Sequence, residues 1–167
     1  MKQLISLLLK EIEQEANATR KMLAIIPEDK YDWKPHEKSM SMQQLAVHIA
    51  EIPQWVQLAI ETEELDFAQG YAPSVCHNNT ELLQIFTSSL SAGINALEKA
   101  DDALLLNGTW SMRAGEHLIA TLSKYETIRH SISQTIHHRA QLGVYLRLLN
   151  IAIPGTYGPS ADEQAGF

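Results

Sequence analysis

Seven histidines are the residues of this sequence best suited to bind a metal or to transfer protons. Two of them, His137 and His138, are adjacent in "SISQTIHHRAQLGVYLRLLN" (131–150), a segment whose apolar residues have helical spacing. Neighbouring residues on a helix point about 100° apart, so these two imidazoles cannot face the same point. Because apolar residues flank both, the periodicity does not decide which one faces inward.

A helical metal pair needs two ligands four residues apart, because only then do both side chains lie on one face. The positions four residues before His137 and His138 hold Ser133 and Gln134. A further candidate, His48, lies in an apolar helical stretch, where a half-buried histidine bonded to a neighbouring carboxylate or carbonyl is the simpler explanation. The spacing of these residues alone is therefore a weak indication of a metal site.

Four stretches with helical periodicity must position these histidines. The second stretch begins near Ser41 and the fourth after Ser123, and each serine has a partner at capping-box spacing, Gln44 and Glu126. Pro53 lies inside the second stretch and predicts a kink, because proline lacks a backbone N–H. We expect an all-α fold, a four-helix bundle in a single domain over 1–167, with helices at about 2–26, 41–59, 79–100 and 124–150.

The connections on either side of the third helix are longer than an up-down-up-down bundle needs, so at least one is expected to cross over an end. The segment "DDALLLNGTWSMRAGEHLIATLS" (101–123) has no clear helical period, and part of it is expected to be extended.

The motif "PGTYGPSADE" (154–163) suggests a fixed turn laid over the bundle or a contact with a second subunit. Arg139, beside His138, is expected toward the bundle edge.

The composition excludes some classes of function. The formal charge is −7 with no cluster of Lys or Arg, which argues against nucleic acid and anionic membranes as partners. No apolar run approaches the roughly 20 residues of a membrane span. The single cysteine allows no intramolecular disulfide, and with no cleavable leader evident at the start, a cytoplasmic protein is expected.

Two longer motifs indicate a protein family more specifically than the histidine spacing does. "WKPHEKSMSMQQLAVHIAEIPQW" (33–55) and "HHRAQLGVYLRLLNIAIPGTYGPSADE" (137–163) resemble the DinB-like (DinB/YfiT) family of four-helix-bundle metalloenzymes. The resemblance extends from about Asp32 to Glu163 and is weaker in the middle. It implies a divalent metal near one end of the bundle, bound by one histidine of the second helix and two of the fourth. The histidine of the second helix corresponds to His48. Of the two in the fourth helix, the later one corresponds to His138, and Gln134 stands in the place of the earlier one.

Gln134 is the departure from the family pattern, since an amide oxygen binds transition metals more weakly than imidazole does. The resemblance therefore implies zinc or nickel held by His48, Gln134 and His138, or a site that has lost its metal. Glu51 and Tyr145 are expected in the second shell or the cleft.

Three protein ligands with open coordination positions are typical of a catalytic metal site. The resemblance implies a hydrolase or a thiol-dependent transferase that acts on a small molecule, such as a low-molecular-weight thiol, in a homodimer. The alternatives are a non-catalytic helical binding module and a structural dimer, each with a metal site degraded by Gln134.

Overall fold

The computed structural model describes residues 2–70 and 72–163, so residues 1, 71 and 164–167 of the expected domain lie outside the described part. No helix within the described part combines the length and apolar character needed to cross a bilayer. The helices are α1 (Gln3–Ala24), α2 (Met42–Glu51), α3 (Gln54–Glu61), α4 (Asn79–Lys99), α5 (Asp102–Asn107) and α6 (Lys124–Leu148).

The beginnings of α2 and α6 confirm the predicted capping boxes. The Ser41 hydroxyl accepts the backbone N–H of Gln44, and the Gln44 side chain accepts the N–H of Ser41. Ser123 and Glu126 make the same reciprocal pair at the start of α6. The kink expected at Pro53 is a break between two helices, since α2 ends at Glu51 and α3 begins at Gln54.

The helices α4 and α6 each pack against α1 and against the α2–α3 segment. The Ser131 hydroxyl donates to Ile52 O at 3.0 Å and the Lys124 ammonium to Ala59 O at 2.9 Å, so α2–α3 runs antiparallel to α6. The α4 helix comes so close to Pro53 that a Cβ at Gly93 would lie 2.6 Å from the proline carbonyl oxygen. Two apolar clusters fill the space between the helices, one around Leu45, Ile49, Phe86 and Leu142 and the other around Ile5, Val56, Leu97 and Ile128.

A three-stranded sheet corrects the expectation of an all-α fold. The strands are β1 (Glu64–Asp66), β2 (Thr109–Ala114) and β3 (His117–Ser123), in the order β1-β2-β3. The β2–β3 pair is antiparallel and β1–β2 is parallel. Gly115, with φ of 60°, forms the hairpin turn between β2 and β3. The structure is therefore mostly helical with a small sheet, and the extended part predicted within 101–123 is confirmed.

The sheet lies where α3 ends and α6 begins. The Trp110 indole of β2 is buried and donates to the Thr62 hydroxyl at 3.0 Å. The Lys124 ammonium is also buried and donates to the carbonyls of Ala59 and Thr62, as well as pairing with Glu63. This lysine satisfies carbonyl groups at the C-terminus of α3 that the helix cannot pair internally.

The segment that follows α6 folds back along that helix. Arg147 of α6 forms two hydrogen bonds with the Asp162 carboxylate, which also accepts the backbone N–H of Ile153. The Tyr157 hydroxyl contacts Arg139, which corrects the expectation that this arginine lies at the bundle edge. Arg139 is only 2% exposed, because it pairs with Glu15 of α1 beneath the returning segment.

Candidate metal centre

His48 of α2 and His138 of α6 meet across the interface between their helices. Their ring centroids are 4.6 Å apart and the ring planes cross at 79°. Both side chains are half-buried. Two imidazoles that bind one tetrahedral zinc ion through nitrogens at 2.0–2.1 Å have their ring centroids about 5 Å apart. The two rings are therefore close enough to share a metal ion.

Gln141, three residues after His138 on α6, fixes the tautomer of that histidine. Its Oε1 lies 2.7 Å from His138 Nδ1. An amide oxygen only accepts hydrogen bonds, so Nδ1 carries the proton and Nε2 keeps its lone pair. An outer-shell acceptor of this kind is the usual partner of a metal-binding histidine.

Both imidazoles are held in the neutral form that binds metals. Burial lowers the pKa of His48, the proximity of His138 lowers it further, and Glu51 opposes the shift. Burial also lowers the pKa of His138, while the hydrogen bond with Gln141 raises it and the neighbouring His137 lowers it. Protons therefore compete weakly with a metal at neutral pH.

Gln134 lies one turn before His138 on the same line of α6 and contacts His130, one turn earlier still. Its Nε2 is 3.3 Å from the Nε2 of His130. The His130 ring stacks on Trp55 of α3, with centroids 6.3 Å apart and planes at 28°. The structure thus places Gln134 between His130 and His138.

The other predicted residues occupy different positions around the histidine pair. Glu51 accepts the backbone N–H of Ser74 at 2.7 Å, and its charge acts on His48. The Tyr145 hydroxyl donates to Met40 O at 3.2 Å, at the loop before α2. His137 is exposed, with its ring edge-to-face against His138 at 4.9 Å.

The donor set that could hold a metal consists of two imidazoles and an amide. Within residues 2–70 and 72–163, no group of three His, Cys, Asp or Glu side chains is arranged to hold a metal ion. The third ligand that the family resemblance implies is the Gln134 oxygen, and the amide of Gln134 contacts His130. A metal bound this way would lack the third imidazole or carboxylate that strengthens most zinc sites.

Gln141 and His130 are the residues that sequence reasoning missed. The spacing signals are present, since Gln141 is three residues from His138 and His130 is four from Gln134. Gln141 was not predicted as a partner of His138 because helical spacing also places it on the face of His137. His130 was set aside because it lies more than about 10 Å from His138 along the helix axis. That distance does not prevent contact with Gln134.

A large cavity lies on a different face of α6, away from the histidines. Its volume is about 540 Å³, and its walls are α6 and the segment that returns along it. The lining is mainly apolar and includes Val144, Leu148, Ile153 and the buried Arg139. None of the predicted metal ligands lines this cavity.

Three crystal structures of DinB-like or DinB-family proteins share this fold, each with a TM-score of 0.69. The Bacillus subtilis protein is 18% identical, with 89% of this chain and 96% of that one covered. The Exiguobacterium sibiricum protein is 21% identical, with coverage of 93% and 97%, and the Bacillus cereus protein 16% identical, with coverage of 90% and 95%. No curated protein matches the sequence. The model of the DinB family matches residues 1–166, and the chain therefore belongs to the DinB family.

Proposed function

We propose that this DinB-family protein is a metal-dependent enzyme that holds one divalent ion, zinc or nickel, between α2 and α6. His48 and His138 are the imidazole ligands and the Gln134 oxygen is the third. The observation that carries this proposal is the pair of half-buried imidazoles with centroids 4.6 Å apart. The Gln141 contact, which leaves His138 Nε2 without a proton, supports it.

Two reaction classes suit such a centre, hydrolysis and thiol transfer to or from a small molecule. When bound, the metal would supply Lewis acidity toward water or a thiol. Gln141 would keep the proton on His138 Nδ1, and the Glu51 carboxylate would favour positive charge near His48. Three protein ligands would leave coordination positions open for a substrate such as a low-molecular-weight thiol.

The test is the metal content of untagged protein, measured by mass spectrometry after incubation with zinc or nickel and washing. About one ion per chain is expected in the wild type, with loss in both His48→Ala and His138→Ala. His137→Ala is the matched control, because this exposed neighbour is expected to keep the metal. A wild-type protein that retains no metal would overturn the proposal.

A second candidate is a non-catalytic helical binding module or dimer whose metal site is degraded by Gln134. The contact of Gln134 with His130 favours this candidate, because the amide already has a protein partner. The Gln134→His variant separates the two. Tight metal binding that appears only in this variant would identify a degraded site, whereas metal in the wild type would identify glutamine as a working ligand.

A further inference from the structure

We propose that the cavity between α6 and the returning segment (149–163) binds an uncharged aromatic small molecule. The volume of this cavity is about 540 Å³, and pockets that bind small molecules commonly have roughly 300–1,000 Å³. His48, Gln134 and His138 do not line it. The cavity is therefore a second site, separate from the proposed metal centre, and either site can exist without the other.

The returning segment is fixed both to α6 and to itself, which makes the cavity preformed. Arg147 of α6 donates two hydrogen bonds to the Asp162 carboxylate. The Glu163 carboxylate accepts the backbone N–H groups of Gly155 at 2.8 Å and Ser160 at 3.1 Å, which closes a turn within the segment. Because these bonds already order the wall, a ligand would bind with little further loss of conformational entropy.

The charges in the cavity wall are already paired, which favours an uncharged ligand. Among the described residues, Arg139 and Arg147 are the charged side chains that line the cavity. Arg139 Nη1 lies 2.7 Å from Glu15 Oε2, and Arg147 pairs with Asp162. A charged ligand would leave water without gaining an unpaired opposite charge, which is unfavourable. An anion would also be repelled by the two carboxylates.

The rest of the wall is mainly apolar, and part of it is aromatic. Val144 and Leu148 of α6 are 59% and 58% exposed, although large apolar side chains are usually buried. Ile153 and Tyr157 of the returning segment line the same cavity, and Tyr157 is 63% exposed. Exposed apolar side chains around a concave surface are typical of a binding site. An aromatic ligand fits this wall because ring pairs attract beyond the area that they bury.

A pair of fluorescent probes tests the proposal, because the two share one skeleton and differ in charge. N-phenyl-1-naphthylamine is uncharged, and 8-anilino-1-naphthalenesulfonate adds an anionic group to the same rings. We expect the wild type to bind about one uncharged probe per chain with a micromolar Kd, and the sulfonate at least about tenfold more weakly. Titration of the probe fluorescence measures both affinities.

Substitutions in the wall locate the bound probe. Val144→Arg places a charge and a longer side chain in the cavity, and affinity for the uncharged probe should fall at least about tenfold. Leu148→Arg should give the same loss, and it serves as the test if Val144→Arg does not fold by circular dichroism. Leu7→Arg is the matched control, because Leu7 lies on α1, does not line the cavity and is also 59% exposed. This control should bind the probe as the wild type does.

Several results would overturn the proposal without affecting the metal centre. One is a wild type that does not bind the uncharged probe, or that binds it only after residues 164–167 are deleted, since the chain itself would then fill the cavity. Equal affinity for both probes, or an equal loss in Leu7→Arg, would show that the probe binds elsewhere. In sedimentation velocity, wild type and Val144→Arg should behave alike. A wild-type dimer that Val144→Arg dissociates would identify the cavity as part of a subunit interface.

Discussion

His138 and Arg139 are neighbours in sequence but belong to two polar clusters on different faces of α6, and the two clusters differ in burial and in hydrogen bonding. His138 faces α2, where its half-buried ring meets the half-buried ring of His48. Arg139 faces α1, where it and Glu15 are 2% and 6% exposed. We call the first the histidine site (His48, Gln134 and His138) and the second the Arg139 cluster (Glu15, Thr19, Arg139 and Tyr157).

The polar groups of the Arg139 cluster form hydrogen bonds and an ion pair with one another. Arg139 Nη1 lies 2.7 Å from Glu15 Oε2 and donates to Glu15 O and the Thr19 hydroxyl. Nη2 donates to the Tyr157 hydroxyl, which itself donates to Glu15 Oε1 at 2.8 Å. In the histidine site, by contrast, the hydrogen bond of His138 within the described residues uses Nδ1 and leaves the Nε2 lone pair for a ligand. The comparison suggests that the Arg139 cluster has a structural role and that the histidine site is suited to a ligand.

The largest expected effect comes from breaking the Arg139 cluster. Arg139→Leu leaves the Glu15 carboxylate buried without its cation, and we expect a loss of about 3–5 kcal/mol in the free energy of unfolding. Urea denaturation followed by circular dichroism measures it. The double variant Arg139→Leu/Glu15→Leu should recover much of the loss, since an apolar pair replaces both charges. A single variant as stable as wild type would contradict the structural role.

The next effect concerns Gln134 of the histidine site. In contrast to a substitution in the Arg139 cluster, a substitution here should change metal affinity and not the free energy of unfolding. Gln134→His supplies an imidazole one turn from His138, and we expect zinc affinity to rise by at least about tenfold. Competition titration measures the affinity, and the urea midpoint should remain close to that of wild type. Unchanged or weaker zinc binding would show that position 134 does not face the metal.

A smaller effect is expected from Gln141, which orients His138. Gln141→Leu removes the acceptor for Nδ1–H, and zinc affinity should fall about tenfold. Gln141→Glu is the matched control, because a carboxylate oxygen can accept the same proton. If both variants bind zinc as the wild type does, the tautomer of His138 is not set by this residue.

The smallest effect is the pH dependence of the metal-free protein. The pKa of His48 and that of His138 are lowered in the folded state, mainly by burial, so the unfolded chain binds protons first as pH falls. The free energy of unfolding should decrease as pH falls below the ordinary histidine value of about 6.5 and on through the lowered pKa values. Urea denaturation between about pH 7.5 and 5 should show a flatter dependence in His48→Gln/His138→Gln. Identical slopes would contradict the burial of these imidazoles.

The long helices could be predicted from local sequence, whereas the pairing of the strands could not. The capping boxes at Ser41 and Ser123 specify helix starts through contacts between residues three positions apart, and that spacing is visible in the sequence. The parallel pairing of Glu64 with Ser111 joins segments far apart in the chain, and no local pattern reports it. The Gly115 turn is the local sign of the β2–β3 hairpin.

The histidine site could be proposed from the family resemblance but not from periodicity. Apolar residues flank both His137 and His138, and the structure distinguishes them by exposing the first and turning the second toward His48. The burial of Arg139 was not predictable, because arginine is usually exposed and its partner Glu15 is 124 residues away in sequence. The orientation of His138 and the burial of Arg139 thus both depend on partners in helices that are distant in the sequence.

X-ray absorption fine structure of the zinc-loaded protein tests the proposed metal centre itself, because it reports the atoms bound to the metal. We expect two imidazole nitrogens at about 2.0–2.1 Å with oxygen ligands completing the shell. Bound zinc should be lost in His48→Ala and in His138→Ala, while His137→Ala should give the wild-type spectrum. A zinc shell without imidazole, or one unchanged by both ligand substitutions, would contradict a metal centre between α2 and α6.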